Sequence, residues 1–224
     1  MSPPPSDPSP TPEHAARILR REHDAVLVVD GMGRGRVEPC RFLLDDETGR
    51  PITCLPTAVV NADEHVLFIP DESEGALQLL TIPEPIERTG GDAPGASCDR
   101  WMTYFGSPPH PRFVRYAIDC GRMGAAVFDG DALSIPNPLR SETGALCKRF
   151  NRLRQELIEL CRNAGCTTPG PALLVGVDPF GIDVKARFGV LRFEFESPAH
   201  DGQDAADRIE RMLVHARGGA GDGR

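Results

Sequence analysis

The feature that most constrains the fold is a series of short apolar runs between Ala25 and Phe128. Turn-forming residues separate the runs, as in Asp45–Gly49 and Asn61–Asp63, and no long helical pattern lies between them. Parallel strands need crossover helices, so this pattern disfavours a parallel sheet and predicts an antiparallel barrel or sandwich. The predicted strands are Ala25–Val29, Cys40–Leu44, Pro51–Val60, His65–Ile69, Ala76–Ile82, Phe113–Ile118 and Met123–Phe128.

Two short helices are predicted around these strands. Thr11 is a good N-cap and Pro12 suits the first helical position, so an amphipathic helix begins here and runs to about His23. A second helix is predicted over Cys98–Phe105. The glycine-rich Gly31–Gly35 follows a strand, but no helix follows it, so we interpret it as a flexible hairpin loop rather than a dinucleotide-binding turn.

A second unit is predicted to begin after the structure-breaking Pro136–Pro138. Apolar residues at helical spacing predict a helix over Ser141–Asn163, and a similar stripe predicts a final helix ending near Ala216. The strands predicted between these helices are Ala172–Val177, Ile182–Ala186 and Val190–Glu196. The predicted domains are residues 13–138 and 139–217. The flanking segments 1–12 and 218–224 are rich in Pro and Gly, and are predicted to be disordered.

Composition narrows the classes of partner and compartment. The net charge is -8, which disfavours binding to nucleic acid or to an anionic membrane surface. No apolar run approaches the roughly 20 residues needed to span a bilayer, and the N-terminus lacks the pattern of a secretory signal, so we expect a cytoplasmic protein. The seven cysteines include no Cys-x-x-Cys pair, so they are predicted to be thiols rather than zinc ligands.

The second unit resembles the small α/β domain that follows the split barrel in HugZ-like heme-utilisation proteins. The resemblance is carried, in order along the chain, by Val175–Val184, Leu191–Phe195 and Leu213–Arg217. The first of these segments matches a "G-h-D-x-x-G-h-D-h" turn, in which h is apolar. Weaker similarity to the family's lead helix, a strand entrance and a late strand lies in Ala15–Val29, Gly49–Pro51 and Arg122–Ala126.

This resemblance implies a fold and a range of cofactors. The implied fold class is α+β: an antiparallel split β-barrel, related to pyridoxamine 5'-phosphate oxidase, followed by a small α-β-β-β-α domain. Members of this superfamily bind FMN, heme or neither, and many are dimers. The resemblance therefore implies a homodimer with heme or FMN as the candidate cofactor.

The candidate flavin site is degenerate. In flavin-binding members, a basic residue and a hydroxyl group after the third strand hold the phosphate. The corresponding stretch here is Leu55–Glu64, which contains no Arg or Lys and ends in two acids that would repel a phosphate. Thr57 and Asn61 are the remaining candidate contacts. Arg122, like Arg41 and Arg50, is a candidate for the missing positive charge, with a role on the surface as the alternative.

The candidate heme contacts lie in the second unit. The family's "H-M-N-x-D-H" segment matches Arg149–Arg154, where only Asn151 agrees and arginines occupy both histidine positions. Arginine stays protonated and cannot ligate iron, but it pairs with propionates, so Arg149 and Asn151 are candidate cofactor contacts. His200 and His215 are the candidate iron ligands, because the family's heme contact is expected near the C-terminus. The basic residues around Arg149 also fit a solvated helix face or an RNA contact.

Three functions remain open from the sequence. The first is a binding or regulatory protein for heme or a related tetrapyrrole, with a degenerate flavin site. The second is an FMN-dependent oxidoreductase of the pyridoxamine-phosphate-oxidase type. The third is a non-catalytic adaptor resembling the glutamyl-tRNA reductase-binding proteins. No catalytic Ser/His/Asp or Cys/His constellation can be assembled from the sequence.

Overall fold

The computed structural model describes residues 10–30, 36–62, 64–88 and 93–218. The chain divides into two compact units. The first contains residues 1–89 and 109–135, and the second contains residues 90–108 and 136–224, so the chain passes between the units more than once. The tails predicted to be disordered fall largely outside the described residues, and so does the predicted Gly31–Gly35 loop.

The elements follow one another in a strand-rich first unit and a mixed second unit. In chain order they are α1 (Pro12–Arg21), β1 (Asp24–Asp30), β2 (Arg36–Leu44), β3 (Pro51–Leu55), α2 (Thr57–Val60), β4 (Glu64–Ile69), β5 (Leu77–Ile86), α3 (Ala93–Phe105), β6 (Arg112–Met123), β7 (Ala126–Asp129), α4 (Gly130–Leu133), α5 (Arg140–Phe150), α6 (Arg154–Asn163), β8 (Leu173–Asp178), β9 (Gly181–Ala186), β10 (Gly189–Glu194) and α7 (Gly202–Gly218).

The first unit is the predicted antiparallel barrel. Its strand order is β3-β2-β1-β4-β5-β6-β7, and the additional pairing of β3 with β6 closes six strands into a ring. Alternate residues of each strand point inward, as Leu27, Leu67 and Leu79 do, and they form one apolar core with Phe42 and Tyr116. β7 extends the sheet beyond β6. This architecture confirms the expected split barrel.

Two predicted strand boundaries in the barrel were wrong. The strand predicted over Pro51–Val60 ends at Leu55, because Pro56 interrupts it and the next residues form α2. The strand predicted to end at Ile82, before Pro83, instead continues as β5 to Ile86, through Pro83 and Pro85. The last pair that β5 makes with β4 is Thr81 with His65, so farther along only the edge facing β6 is hydrogen-bonded, and proline is tolerated there.

The second unit is a three-stranded antiparallel sheet in the order β10-β9-β8, with α5, α6 and α7 packed on one apolar core. The single helix predicted over Ser141–Asn163 is two helices. It breaks at Asn151, whose side-chain amide donates to the Leu174 carbonyl at 2.9 Å and accepts from the Leu174 N–H at 2.7 Å. The helix stops because this side chain bonds the edge of β8. The predicted order of strands and final helix is confirmed.

The predicted short helix at Cys98–Phe105 is α3, which begins earlier, at Ala93. Although it lies between β5 and β6 in the sequence, it belongs to the second unit. No helix within the described ranges is long and apolar enough to cross a membrane.

Candidate functional site

A surface groove of about 460 Å³ runs along α7 in the second unit. This volume is within the range of small-molecule sites in proteins. One wall is formed by the end of β10 and the residues after it, and the other by one side of α7. The lining residues are Glu194, Phe195, Glu196, Arg208, Arg211, Met212 and His215. The four helical members recur at spacings of three and four, so they lie on one side of α7.

The orientation of α7 is fixed by its cap and by its apolar stripe. The Asp201 carboxylate accepts the Asp204 N–H at 2.8 Å, and Asp204 accepts the His200 N–H at 3.1 Å, so two free N–H groups at the helix start are satisfied. Ile209 and Leu213 are buried in the core of the unit. Because that side of the helix faces inward, Arg211 and His215 are left exposed beside the groove.

The groove offers one anchored cation and two unpaired groups. Arg208 is held by Asp204 at 2.9 and 3.1 Å and by Ser197, and it lies 5.9 Å from the centre of the Phe195 ring. Hydrogen bonding from Arg208 is the main reason that the pKa of Asp204 is lowered. Within the described part of the chain, the side chains of Arg211 and His215 make no hydrogen bond or ion pair. An imidazole and a guanidinium are therefore available to a ligand.

The other predicted heme contacts are not in the groove. His200 lies just before α7 and its N–H serves the helix cap. Since α7 rises about 1.5 Å per residue, His200 and His215 are roughly 20 Å apart and cannot ligate one iron together. Arg149 forms an ion pair with Glu210 and lies 5.0 Å from the centre of the Phe150 ring. Asn151 holds the edge of β8, as described above.

The predicted flavin contacts of the barrel fall into two groups, one near each end of β6. Thr57 is the first residue of the short helix α2 and Asn61 is its C-cap, and both are exposed. α2 follows Leu55, which pairs with Arg112 at the start of β6. Arg122 lies at the far end of the same strand, where it donates to Gln78 at 2.7 Å. Thr57 and Asn61 are therefore together, and Arg122 is apart from them.

Arg112 is a residue that the sequence analysis missed. It is exposed, it lies opposite the residue that precedes Pro56, and it has no ion pair among the residues that the structure describes. It is the basic residue that the pairing register places beside α2. Only the register reveals this, because Arg112 is more than fifty positions away from Thr57 in the sequence.

The motif that carried the family resemblance forms a buried charged network. Arg192 donates to Asp178 at 2.7 Å and to Asp183 at 3.2 Å, and all three side chains are almost fully buried. Tyr104 of α3 donates to the second oxygen of Asp183 at 2.8 Å. Burial opposes the charge of Arg192, but the two carboxylates raise its pKa above the ordinary value. Burial, followed by the charge of Asp183, raises the pKa of Tyr104.

The two glycines of the motif make room for this network. A Cβ added at Gly176 would overlap the Tyr104 hydroxyl and lie 2.9 Å from Asp183 Oδ2. A Cβ added at Gly181 would overlap the main chain of Phe193. The motif residues are therefore explained by packing within the second unit. They create no open site, because the network is enclosed.

The barrel interior holds a neutral polar pair instead. His65 Nδ1 lies 2.9 Å from the Tyr116 hydroxyl, and both side chains are fully buried. Burial lowers the pKa of His65, and the carbonyls of Ala62 and Val59 act against that shift. His65 is consequently a histidine of the barrel core without access to solvent.

The outside of the barrel carries a largely apolar face. One row of directly paired residues crosses five strands, from β2 through β1, β4 and β5 to β6: Val37, Val28, Val66, Leu80 and Cys120. The next row begins with Pro39, Val26 and Phe68 and ends with Gln78, Arg122 and Val127. We call these two rows the outer face. Val37 of the first row and Val127 of the second row are 53% and 69% exposed.

Comparison with known proteins supports the fold. No protein-family model matches the chain, and no curated protein matches it. Among solved structures, the chain is similar to Atu2129, a protein of unknown function from Agrobacterium tumefaciens, with a TM-score of 0.64 and 17% identity over 96% of this chain and 99% of that one. At this identity the similarity concerns the fold, and it covers both units.

Two further structures have lower scores. A heme binding protein from Mycobacterium smegmatis has a TM-score of 0.44 and 16% identity over 95% of this chain and 100% of that one. A putative pyridoxamine 5'-phosphate oxidase from Listeria innocua has a TM-score of 0.40 and 14% identity over 51% of this chain and 98% of that one.

Proposed function

We propose that this protein binds heme or a related tetrapyrrole, as a binding or regulatory protein of the HugZ-like split-barrel type, and that the groove along α7 is the site. The observation that carries the proposal is the unpaired His215 beside the unpaired Arg211. Imidazole is a common ligand of heme iron, and arginine pairs with propionate carboxylates. The two side chains are four positions apart on α7, so they face the same volume.

The remaining lining residues fit an aromatic macrocycle with acidic substituents. Met212 is three positions before His215, and a thioether is the second ligand type found with histidine on heme iron. Phe195 supplies an aromatic surface. Glu194 and Glu196 stand on the opposite wall from Arg211, so an anionic group of the ligand is favoured against α7 and disfavoured against the strand. When bound, heme would supply redox or oxygen chemistry; the chain supplies ligation and orientation.

Titration with hemin tests this proposal. We expect a saturable Soret shift with a Kd below about 10 μM, and a loss of at least tenfold in affinity for His215→Ala. His200→Ala is the matched control, because this histidine lies outside the groove, and it should bind like the wild type. Absence of a saturable shift, or equal losses in the two variants, would contradict the assignment.

Flavin binding is the second candidate, favoured by one observation. Arg112 lies beside α2 and places a positive charge near Thr57 and Asn61, which the sequence of that segment lacks. Titration with FMN, followed by quenching of flavin fluorescence, should then show binding that Arg112→Ala removes and Arg122→Ala retains. A colourless protein that ignores added FMN would eliminate this alternative.

We also propose that the protein is a homodimer that pairs through the outer face of the barrel. Contiguous apolar patches on a surface often mark sites of protein–protein interaction, and the first row of the outer face is apolar across five strands. Strands lie about 4.8 Å apart, so the row spans roughly 19 Å. Glu64 lies at one edge of this surface and Arg122 at another, and pairing of two copies about a two-fold axis can bring such opposite charges together.

Light scattering after gel filtration tests the dimer. The wild type should have twice the mass of the chain, and Val66→Lys, on the middle strand of the outer face, should reduce it to one chain. Val214→Lys is the control, because Val214 is an exposed valine of α7 in the second unit. A wild type that is monomeric would reject the dimer and would favour the adaptor alternative, in which a different protein covers this face.

A further inference from the structure

The C-terminus of α6 is closed by an arrangement that brings two cysteines together. The Gly165 N–H donates to the Arg162 carbonyl at 2.9 Å, and the Cys166 N–H donates to the Cys161 carbonyl at 3.1 Å. Gly165 has a φ of 87°, in the left-handed region. These two hydrogen bonds define a Schellman motif, with Cys161 in the last turn of the helix and Cys166 just beyond its cap. Side chains at these two positions commonly contact each other.

Both thiols belong to the core of the second unit. Cys161 is fully buried, and Cys166 is partly buried against the same apolar cluster. Burial raises the pKa of Cys161 to about 11, and the nearby Cys166 contributes to that shift. The influence of the Cys166 sulfur on Cys161 agrees with the proximity that the main chain imposes.

We propose that Cys161 and Cys166 form a reversible disulfide that locks the end of α6. A disulfide spans Cα atoms about 4.4–6.8 Å apart, a separation compatible with residues joined by a main-chain hydrogen bond. Hydrogen peroxide would oxidise the more exposed Cys166 to a sulfenic acid and release one water. The Cys161 sulfur would then displace the second water. Together the two thiols lose two electrons and two protons, and the peroxide is reduced to water.

The lock would act on the packing of α6 against α7. Asn163, which lies between the two cysteines, donates its side-chain N–H to the Ala216 carbonyl of α7 at 3.0 Å. A disulfide between Cys161 and Cys166 would restrain the main chain both before and after Asn163. Oxidation would therefore hold this contact between the helices, whether or not the groove binds heme.

Peptide mapping of the full-length protein tests the disulfide directly. Trypsin cleaves after Arg162, so the two cysteines fall in different peptides, 155–162 and 163–185. After treatment with hydrogen peroxide and blocking of free thiols, we expect these peptides to be joined, and to separate on reduction. Oxidised protein should also unfold a few degrees above reduced protein.

Two variants keep the test specific. Cys166→Ser should lose the joined peptides and the thermal shift, while its main-chain motif can remain. Cys147→Ser should keep both, because Cys147 packs on the same core but lies outside the motif. Recovery of Cys161 and Cys166 as blocked thiols after peroxide, or the pairing of Cys166 with another cysteine, would overturn the proposal.

Discussion

The two units accommodate buried polar groups in opposite ways. The barrel encloses a neutral pair, in which His65 lies 2.9 Å from the Tyr116 hydroxyl of the apolar core. The second unit encloses a full ionic network, with Arg192 between Asp178 and Asp183. A neutral pair needs one good hydrogen bond, whereas buried charges need every partner in place. The ionic network therefore constrains several residue types of the second unit at once, whereas the barrel pair constrains two.

The largest effect is expected when one charge of the network is removed. Asp183→Ala would leave Arg192 partly uncompensated and Tyr104 without its acceptor, and should cost about 3–5 kcal/mol of unfolding free energy. Fluorescence of Trp101, the single tryptophan of the chain, reports on the second unit during denaturant unfolding.

The barrel provides the control for this measurement. Tyr116→Phe removes the partner of His65 and should cost only about 1–3 kcal/mol, measured by far-UV circular dichroism. If the barrel variant proved the more destabilising of the two, the contrast between ionic and neutral cores would be broken.

A smaller loss is expected from crowding the network. Gly176→Ala would push a methyl group against the Tyr104 hydroxyl and should cost about 1–3 kcal/mol, followed by Trp101 fluorescence. Gly144→Ala is the matched control, since its added Cβ meets nothing within 4 Å in α5, and it should be neutral or stabilising by up to about 1 kcal/mol. Equal destabilisation by the two substitutions would show that the loss at Gly176 does not come from the overlap with the Tyr104 hydroxyl.

Acid should affect the barrel through His65. Its pKa is lowered in the folded state, so the unfolded chain takes up the proton more readily. The contribution of this residue to stability is therefore complete above its ordinary pKa of 6.5 and is lost as the pH falls from there towards the folded value. Urea unfolding at about pH 7.5 and pH 5.5 should show the loss in the wild type and less of it in His65→Gln. An unchanged pH response in the variant would assign the effect to other groups.

The smallest effect is expected at an exposed arginine of the second unit. Arg149 pairs with Glu210 at the surface, where both side chains are about half exposed. Arg149→Ala should change the unfolding free energy by no more than about 0.5 kcal/mol in denaturant unfolding. If Arg149→Ala lost as much unfolding free energy as Asp183→Ala, the exposed and the buried ion pairs would contribute equally to stability, and the contrast would fail.

Much of the fold was predictable because it follows from local patterns. Alternating apolar residues located most strands, and Thr11 with Pro12 located the start of α1. The errors arose where a distant contact decides the local structure. Asn151 ends α5 because it bonds β8, and nothing within the helix sequence signals that partner. Likewise β5 continues through prolines only because β4 no longer pairs with it there.

The candidate site was predictable only in part. The expectation of a heme contact near the C-terminus pointed to both His200 and His215. Only the structure shows that His215 lines the groove and that His200 does not. Arg211 and Met212 gave no signal by themselves, because single arginines and methionines are common on helices. Arg112 was invisible to local reasoning, since antiparallel pairing brings it beside Leu55 from a distant part of the chain.

The position of α3 has a consequence for how the protein is made on the ribosome. Tyr104 and its acceptor Asp183 are 79 residues apart in the sequence. At translation rates of about 5–20 residues per second, α3 emerges roughly 4–16 s before the strand that it bonds. During that interval the sheet of the second unit has not been made, so Trp101, which is buried in the folded protein, has no folded second unit around it. A chaperone that holds the nascent chain would have its clearest target there.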